Sequence, residues 1–339
     1  MPHHGLAGWR LHALVLLAVI LAMFSGTAAR AQIGSERYAA IVLDAGTGQE
    51  VLAIAADEPR YPASLTKMMT LYMAFDAMER GRLDANTRIR VSSHAASQPP
   101  SKLGLRAGNT ILARDAIMAM ITKSANDAAT ALGEHLAGNR GEAAFARMMT
   151  VQARSIGMTR TTFRNANGLP DPRQVTTARD MARLSQALIR DFPERYGYFS
   201  VQSFSWQGRE VYGHNRLLDN YAGADGIKTG FINASGFNLA ASAMRGGVRM
   251  IAVVFGGASS AERDSHVMSL LDRGFAEGGR YVPPTDMMMA GRRNGPSLVG
   301  TAQAAPLASA LGARAGATVR PVVSRPAIAA PARPLPSRG

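Results

Sequence analysis

Residues 226–243 read GIKTGFINASGFNLAASA. Two largely apolar runs, at 226–232 and 236–243, flank the turn Asn233-Ala234-Ser235, a pattern that predicts two antiparallel strands joined by a tight connection. A third apolar run, rich in β-branched residues, follows at 249–255. We therefore predict that this part of the chain supplies three strands of an antiparallel sheet.

A second group of β-like segments lies near the N-terminus. The runs at 38–44 and 50–55 are joined by Ala45-Gly46-Thr47-Gly48, a glycine-containing hairpin connection. Together with the three later strands they complete one predicted antiparallel sheet of five strands. A final helix at 261–275 is expected to pack on this sheet.

The middle of the chain predicts helices. A segment rich in Leu, Met and Ala runs from Ser64 to Glu79 and stops at Gly81. Further helices are expected at about 113–122, 126–137 and 141–156, and from a capping-box-like start at Thr177 and Asp180 through Ile189. The order of strands, helices, strands and helix predicts a mixed α/β fold whose sheet is assembled from both ends of the domain.

The first 31 residues resemble an export signal. His3, His4 and Arg10 precede an apolar stretch at 13–24, and Ala29-Arg30-Ala31 supplies a cleavage site, which predicts a mature start near Gln32 and an exported, periplasmic protein. The alternative is a retained anchor, although the apolar run is short for a bilayer span of about 20 residues. The chain has no cysteine, which excludes disulfides, thiol catalysis and thiolate metal sites.

The composition of the chain changes at about residue 281. We expect a folded domain at 32–280. The Ala-, Pro- and Arg-rich segment 281–339 is expected to be a disordered tail, because it has too little apolar surface to bury. The net charge is +14, carried by only four lysines among 38 basic residues, and no basic run carries interleaved aromatic residues. Nucleic-acid binding is therefore not expected. A weak electrostatic contact of the basic tail with membrane or wall polymer is the alternative role for that segment.

Three short motifs occur in one order. They are Ser64-Leu65-Thr66-Lys67, Ser124-Ala125-Asn126 and Lys228-Thr229-Gly230. Each motif alone is weak. Their predicted contexts make the set specific, because the first opens a helix, the second lies between two helices and the third lies on a strand.

The first motif predicts an activated serine. Residues three apart on a helix share one face at about 5–6 Å, so the Lys67 amine can reach the Ser64 hydroxyl, and the helix dipole favours an anion there. The pKa of an ordinary lysine is near 10.4 and must be lowered by burial or by a second cation, a role that Lys228 can fill. Only four lysines stand beside 34 arginines, and arginine does not give up its proton, so Lys67 fits the role of a base.

The three motifs resemble those of penicillin-binding proteins and class A β-lactamases. In particular, the segments at 61–70, 124–128 and 225–230 are similar to the low-molecular-mass penicillin-binding proteins, the D-alanyl-D-alanine carboxypeptidases of serine peptidase family S11. The resemblance covers about residues 35–280 and includes the segments at 167–169, 176–181 and 214–218. It implies a β-lactamase-like fold in which a helical lobe and a five-stranded sheet form a cleft between them. Relatives often carry an added β-rich domain and an amphipathic membrane helix, and the tail resembles neither.

The resemblance also implies a role for each motif residue. Ser64 is acylated by the penultimate D-Ala of a peptidoglycan stem pentapeptide, Lys67 takes the hydroxyl proton and Ser124 relays a proton to the leaving amine. The implied substrate-binding residues are Asn126, Lys228, Thr229, Gly230, Phe231 and Arg263. Asn126 also orients Lys67, and the backbone N–H groups of Ser64 and Phe231 form the oxyanion hole. No cofactor or metal is implied, β-lactams are expected ligands, and we expect a monomer.

Several alternatives stay open at this point. A DD-endopeptidase acting on peptidoglycan cross-links has the same motifs. A β-lactamase needs a carboxylate to hydrolyse its acyl-enzyme, and the segment 163–170 contains none. A non-catalytic wall-binding protein would not need both Ser64 and Lys67. A metallopeptidase or a Ser-His-Asp hydrolase is disfavoured by histidines without ligand spacing and by the lack of a G-x-S-x-G turn.

Overall fold

A five-stranded sheet is the centre of the fold. The computed structural model describes residues 35–138 and 140–278. Its main strands are β1 (Ala39–Asp44), β2 (Glu50–Ile54), β7 (Ala224–Ile232), β8 (Gly236–Arg245) and β9 (Val248–Gly257). Their order is β2-β1-β9-β8-β7, and every neighbouring pair is antiparallel. The predicted sheet built from both ends of the domain is confirmed.

Alternation along the strands gives the sheet two buried faces. On β9, Ile251, Val253 and Phe255 belong to the larger core, whereas Ala252 and Val254 belong to a second core on the opposite face. Because successive side chains of a strand point to opposite faces, one strand can serve both cores. The smaller core is closed by α9 (Ser260–Gly278), which is the predicted final helix.

The larger core lies between the sheet and the helical lobe. The helices of this lobe are α1 (Thr66–Glu79), α2 (Ser93–Ser97), α3 (Ala113–Ile121), α4 (Asn126–Leu136), α5 (Glu142–Ser155), α6 (Ala178–Asp191) and α7 (Pro193–Tyr196). Most of α1 is buried, which explains why its apolar residues show no single stripe. The helices predicted between 113 and 156 are confirmed to within a residue or two.

Two helix starts differ in detail from the sequence prediction. Ser64 is not in the first turn of an α-helix: it lies in a separate 3₁₀ turn, Ala63–Leu65, directly before α1. The amide of Leu65 donates to the Pro62 carbonyl three residues back, which produces this tighter turn. At α6, Thr177 Oγ1 accepts from the Asp180 amide as expected of a cap, but Asp180 Oδ2 accepts from Thr161 and Arg160 and does not complete the box.

Smaller elements complete the described chain. Two short hairpins were not predicted: β3 (Arg88–Arg90) with β4 (Thr110–Leu112), and β5 (Ser203–Trp206) with β6 (Arg209–Tyr212). A one-turn helix, α8 (Leu217–Asn220), leads into β7. None of the helices in the described ranges has both the length and the apolar content needed to span a bilayer. The predicted leader at 1–31 and tail at 281–339 lie outside the described residues.

Candidate active site

Ser64 lies where the helical lobe meets strand β7. The residue before it, Ala63, has a φ of 48°, in the left-handed region that non-glycine residues rarely adopt. Two glycines allow neighbouring segments to approach this backbone. A Cβ on Gly168 would come within 1.9 Å of the Ala63 carbonyl oxygen, and a Cβ on Gly230 would come within 3.2 Å of the Ser64 amide nitrogen. Glycine at both positions therefore lets a loop and a strand close on either side of Ser64.

Lys67 is held beneath Ser64 by three acceptors. Its side chain is fully buried. Its Nζ donates to Ser64 Oγ at 3.2 Å, to Asn126 Oδ1 at 2.7 Å and to the Asn167 carbonyl at 2.5 Å. The predicted contact between Ser64 and Lys67 is thus present, and the base is fixed from two further directions.

The surroundings of Lys67 favour its neutral form. Burial lowers the pKa of Lys67 well below its ordinary value, and the positive charge of Lys228 lowers it further. The carboxylates of Asp127 and Glu142 oppose this shift. The balance leaves an amine that releases its proton far more readily than a solvated lysine.

The second motif places a hydroxyl and an amide at the same cleft. Ser124 has a φ of 58°, and its Oγ is buried without a hydrogen-bond partner among the described residues. Asn126 begins α4, and its Nδ2 donates to the Pro99 carbonyl while its Oδ1 accepts from Lys67. The side chain of Asn126 is therefore oriented from both ends.

Asp127 fixes the loop that faces this motif. Its buried carboxylate accepts hydrogen bonds from the backbone amides of Leu103, Gly104 and Leu105. The backbone N–H of Asn126 in turn donates to the Ser101 carbonyl at 2.7 Å. The start of α4 and the 101–105 loop consequently form one rigid wall of the cleft.

The third motif lies on β7, as predicted. Lys228 is 2% exposed, and its Nζ donates to the Thr229 carbonyl at 2.8 Å. Burial and the nearby positive charge of Arg263 lower the pKa of Lys228 to about 7. Lys228 thus places an ammonium group near Lys67. Because the pKa of Lys228 is about 7, this group loses its charge as the pH rises through the neutral range.

Arg263 lies in the cleft wall, but most of its donors are already used. Its Nε and Nη2 donate to Asp264 Oδ1 at 2.9 and 2.7 Å, and its Nη1 donates to the Asn238 carbonyl at 3.2 Å. A guanidinium has five N–H donors, so two remain for a ligand. The structure therefore brings Arg263 to the site predicted for it while tying it firmly to α9 and β8.

The cleft between these motifs has a volume of about 500 Å³. Its lining includes Ser64, Ser124, Asn126, Thr229, Gly230, Phe231, Phe237, Arg216 and Arg263. Phe231 is 48% exposed and packs against Phe237 with their ring centroids 4.3 Å apart. None of the described residues that line the cleft is an aspartate or a glutamate. The site is therefore a cationic and partly aromatic cavity suited to an anionic ligand.

Sequence reasoning missed residues that complete this site. The Asn167 carbonyl on Lys67 gave no signal, because any residue supplies a carbonyl. Glu142 lies behind it and accepts hydrogen bonds from the Ala166 amide and from Asn167 Nδ2. Arg216 lines the cleft without an ion pair among the described residues. It lies in the segment 214–218 that resembles the family, but no role was predicted for it. Across the described ranges no cluster of three or more His, Asp or Glu side chains is arranged to hold a metal ion.

The chain is similar in sequence to known bacterial proteins. The model of the D-alanyl-D-alanine carboxypeptidase family, peptidase family S11, matches residues 25–259. The chain belongs to this family. It is 36% identical over 251 residues to DacA of Escherichia coli strain K12, covering 72% of this chain and 61% of that protein. It is 29% identical over 286 residues to DacF of Bacillus subtilis strain 168, covering 79% and 71%.

Solved structures of the family confirm the fold. DacD from Francisella tularensis aligns with a TM-score of 0.67 at 32% identity, covering 73% of this chain and 72% of that one. Penicillin-binding protein D2 from Listeria monocytogenes, solved in its ampicillin-bound form, aligns with a TM-score of 0.61 at 32% identity, covering 70% and 96%. The predicted resemblance to S11 penicillin-binding proteins is thus confirmed, together with the mixed α/β fold and its antiparallel sheet.

Proposed function

We propose that this protein is a serine-type D-Ala-D-Ala carboxypeptidase that removes the terminal D-Ala from peptidoglycan stem pentapeptides. The observation that carries this proposal is the fully buried Lys67 amine, held by Asn126 and Asn167 at 3.2 Å from the Ser64 hydroxyl. Family membership supports the same activity. The chain spans 61–71% of the length of the two curated relatives above, so the substrate is assigned here on the chemistry of the site.

Acylation begins with transfer of a proton to Lys67. A neutral amine has two N–H bonds and one lone pair. The acceptors on Asn126 and Asn167 take the two N–H bonds, which leaves the lone pair for the Ser64 proton. The Ser64 oxygen then attacks the carbonyl carbon of the penultimate D-Ala, and the backbone N–H groups of Ser64 and Phe231 stabilise the oxyanion.

Collapse of this intermediate expels the terminal D-Ala. The scissile C–N bond breaks as the proton held on Lys67 passes through the Ser124 hydroxyl to the leaving amine. The unpaired Ser124 hydroxyl supports this role, because its hydrogen-bonding capacity is free for a reacting group. Water then attacks the ester carbonyl, and Ser64 is released with its proton restored.

The charges of the cleft account for selection of a C-terminal carboxylate. Thr229 lines the cleft and binds the carboxylate of the terminal D-Ala, and Lys228, buried beside it on β7, supplies positive charge to the same place. Arg216 and the remaining donors of Arg263 add positive potential. No aspartate or glutamate among the described lining residues competes for these groups. The same absence disfavours a β-lactamase, because no carboxylate there is placed to activate water against a penicilloyl ester.

The export signal predicted at 1–31 and the catalytic domain predicted at 32–280 belong to the same proposal. A stem pentapeptide in the wall is reached only from outside the cytoplasmic membrane, so the domain acts in the periplasm as a monomer after cleavage near Ala31. N-terminal sequencing of the periplasmic protein would give Gln32 as its first residue. A first residue at Met1 or Pro2 would contradict this part of the proposal.

Release of free D-Ala tests the function directly. The purified domain is incubated with a monomeric pentapeptide muropeptide and, separately, with a dimer joined by a D-Ala cross-link and lacking a D-Ala-D-Ala end. A carboxypeptidase releases D-Ala from the monomer. Cleavage of the dimer without release of D-Ala from the monomer would replace the proposal by an endopeptidase. The Ser64→Ala variant is the control, and it should be inactive on both.

A further inference from the structure

A second groove opens beside the active-site cleft. It has a volume of about 610 Å³ and is lined by Lys102, Lys123, Trp206, Arg209 and Tyr212, among others. Gly213 and His214 line both cavities, so the groove continues the cleft. Its far side is the β5–β6 hairpin, which the sequence did not predict.

Hydrogen bonds hold the backbone near both lysines of this groove against the second motif. Ser101, next to Lys102, donates from its Oγ to the Lys123 carbonyl at 2.7 Å. The Ser101 carbonyl accepts from the Asn126 amide at 2.7 Å. Lys123 directly precedes Ser124. The positions of both lysines relative to the cleft are therefore set by the same backbone that places Ser124 and Asn126.

The groove carries positive charge that the protein does not neutralise. Lys102, Lys123 and Arg209 form no ion pair with any carboxylate in the described part of the chain. Glu210 is the one acidic residue among those that line the groove. His214 adds no charge at neutral pH, because burial and, to a smaller degree, the positive charges of Lys228 and Lys123 lower its pKa to about 4. The lining of the groove therefore contains three cationic side chains and one carboxylate, and its net charge is positive.

Lysine usage gives an independent indication. The whole chain contains four lysines and 34 arginines. Two of the four, Lys67 and Lys228, are buried behind the active-site cleft, and the other two both line this groove. A composition that favours arginine so strongly does not by itself account for lysine at all four of these neighbouring positions.

We infer that this groove is a subsite for an acidic side arm on the residue that follows the scissile bond. The inference rests on the proposed function, which places Ser124 at the leaving amine and hence Lys123 on the leaving side. The methyl group of D-Ala is too short to extend far from that amine. A longer side arm that ends in a carboxylate would run past Trp206 and Tyr212 and meet Lys102 and Lys123. The groove thus extends recognition from D-Ala to an anionic leaving residue.

Matched peptides test the subsite. The substrates are N-acyl-D-Ala-D-2-aminopimelate, its ω-amide, and N-acyl-D-Ala-D-Ala as the reference for each enzyme. The wild-type protein should prefer the acid to the amide by about three- to tenfold in kcat/KM, the range expected of two partly exposed ion pairs. The preference should shrink at 1 M salt, where the Debye length is about 3 Å.

Substitution of the two lysines tests whether the groove causes the preference for the acid peptide over its amide. The Lys102→Ala/Lys123→Ala double variant should bring the ratio of acid to amide close to one. Arg147→Ala removes an exposed charge that lines neither cavity and should leave the ratio unchanged. An unchanged ratio in the double variant, or no preference in the wild-type protein, overturns the subsite. Labelling by a fluorescent penicillin shows that each variant is folded.

Peptide affinities measured with the inactive Ser64→Ala variant test the groove independently of the proposed function. In Ser64→Ala, the acid peptide should bind more tightly than its amide, and adding the two lysine substitutions should abolish the difference. If the wild-type protein releases no D-Ala from the reference peptide, the proposed function fails, yet this comparison still decides the groove. Equal affinities for acid and amide in Ser64→Ala contradict the subsite.

Discussion

Gly168 offers a quantitative test of how the site is built. Its φ is 90°, and a Cβ at this position would lie 1.9 Å from the oxygen and 2.4 Å from the carbon of the Ala63 carbonyl. Both neighbours are backbone atoms, so no side-chain rotation relieves the overlap. The Gly168→Ala substitution must therefore displace either the loop that carries the Asn167 carbonyl or the turn that carries Ser64.

The expected cost has two parts. Placing alanine in a left-handed conformation costs about 1–2 kcal/mol, and forcing a methyl group into packed backbone costs about 1–3 kcal/mol. We therefore expect the free energy of unfolding to fall by about 2–5 kcal/mol. A shift of about 1 Å between Lys67 and Ser64 would in addition lower the acylation rate roughly 100-fold.

Gly81 provides a matched control. Its φ is 65°, and a Cβ there would meet no atom within 4 Å, so Gly81→Ala carries the conformational cost without the overlap. Denaturant unfolding gives the free energies, and labelling with a fluorescent penicillin gives the acylation rates. Equal destabilisation of the two variants, with wild-type acylation by Gly168→Ala, would refute the close approach of the loop to Ser64.

Three further predictions concern the charges of the site. Lys67→Arg should lower the acylation rate by a factor of about 10²–10⁴, because the guanidinium group stays protonated and cannot act as a base. Stopped-flow penicillin binding measures this rate, and a rate near that of the wild-type protein would exclude Lys67 as the base. Lys228 loses its charge as the pH rises through about 7, so KM for a D-Ala-D-Ala peptide should rise above that pH. Lys228→Arg should remove this alkaline rise in a KM profile, and an identical rise in the variant would contradict the assignment. Glu142→Gln removes a carboxylate that raises the pKa of Lys67, so the acid limb of the acylation profile should move to lower pH, and a move to higher pH would oppose the account.

Much of the sheet was readable from the sequence because its strands are short apolar runs bounded by turn residues, and β9 is in addition rich in Val and Ile. Strand β9 was predicted at 249–255 and extends over Val248–Gly257. Its two-sided burial leaves almost no polar residue to obscure the pattern. The hairpin β5–β6 was missed although Ser203-Phe204-Ser205-Trp206 alternates polar and apolar residues, because the pattern is only four residues long and Arg209-Glu210-Val211-Tyr212 does not continue it.

The proposed catalytic residues could be predicted from their motifs, but the groups that hold them in place could not. The spacing of Ser64 and Lys67 indicated their contact, whereas the Asn167 carbonyl on Lys67 comes from 100 residues away and from a group that every residue has. The 3₁₀ turn at Ser64 depends on the neighbouring Gly168 loop and strand β7, which a helical pattern does not reveal. Asp127 falls inside the helix predicted at 126–137, and nothing in that pattern indicates that its carboxylate holds the 103–105 loop through three backbone amides.

The proposed mechanism depends on Ser64 as the acylated nucleophile. The most direct measurement is the intact and peptide mass of the purified protein after incubation with benzylpenicillin. We expect one penicilloyl group per chain, located on the peptide that contains Ser64, and none on the Ser64→Ala variant. A stable adduct on another residue, or no adduct on a folded protein, would contradict the account.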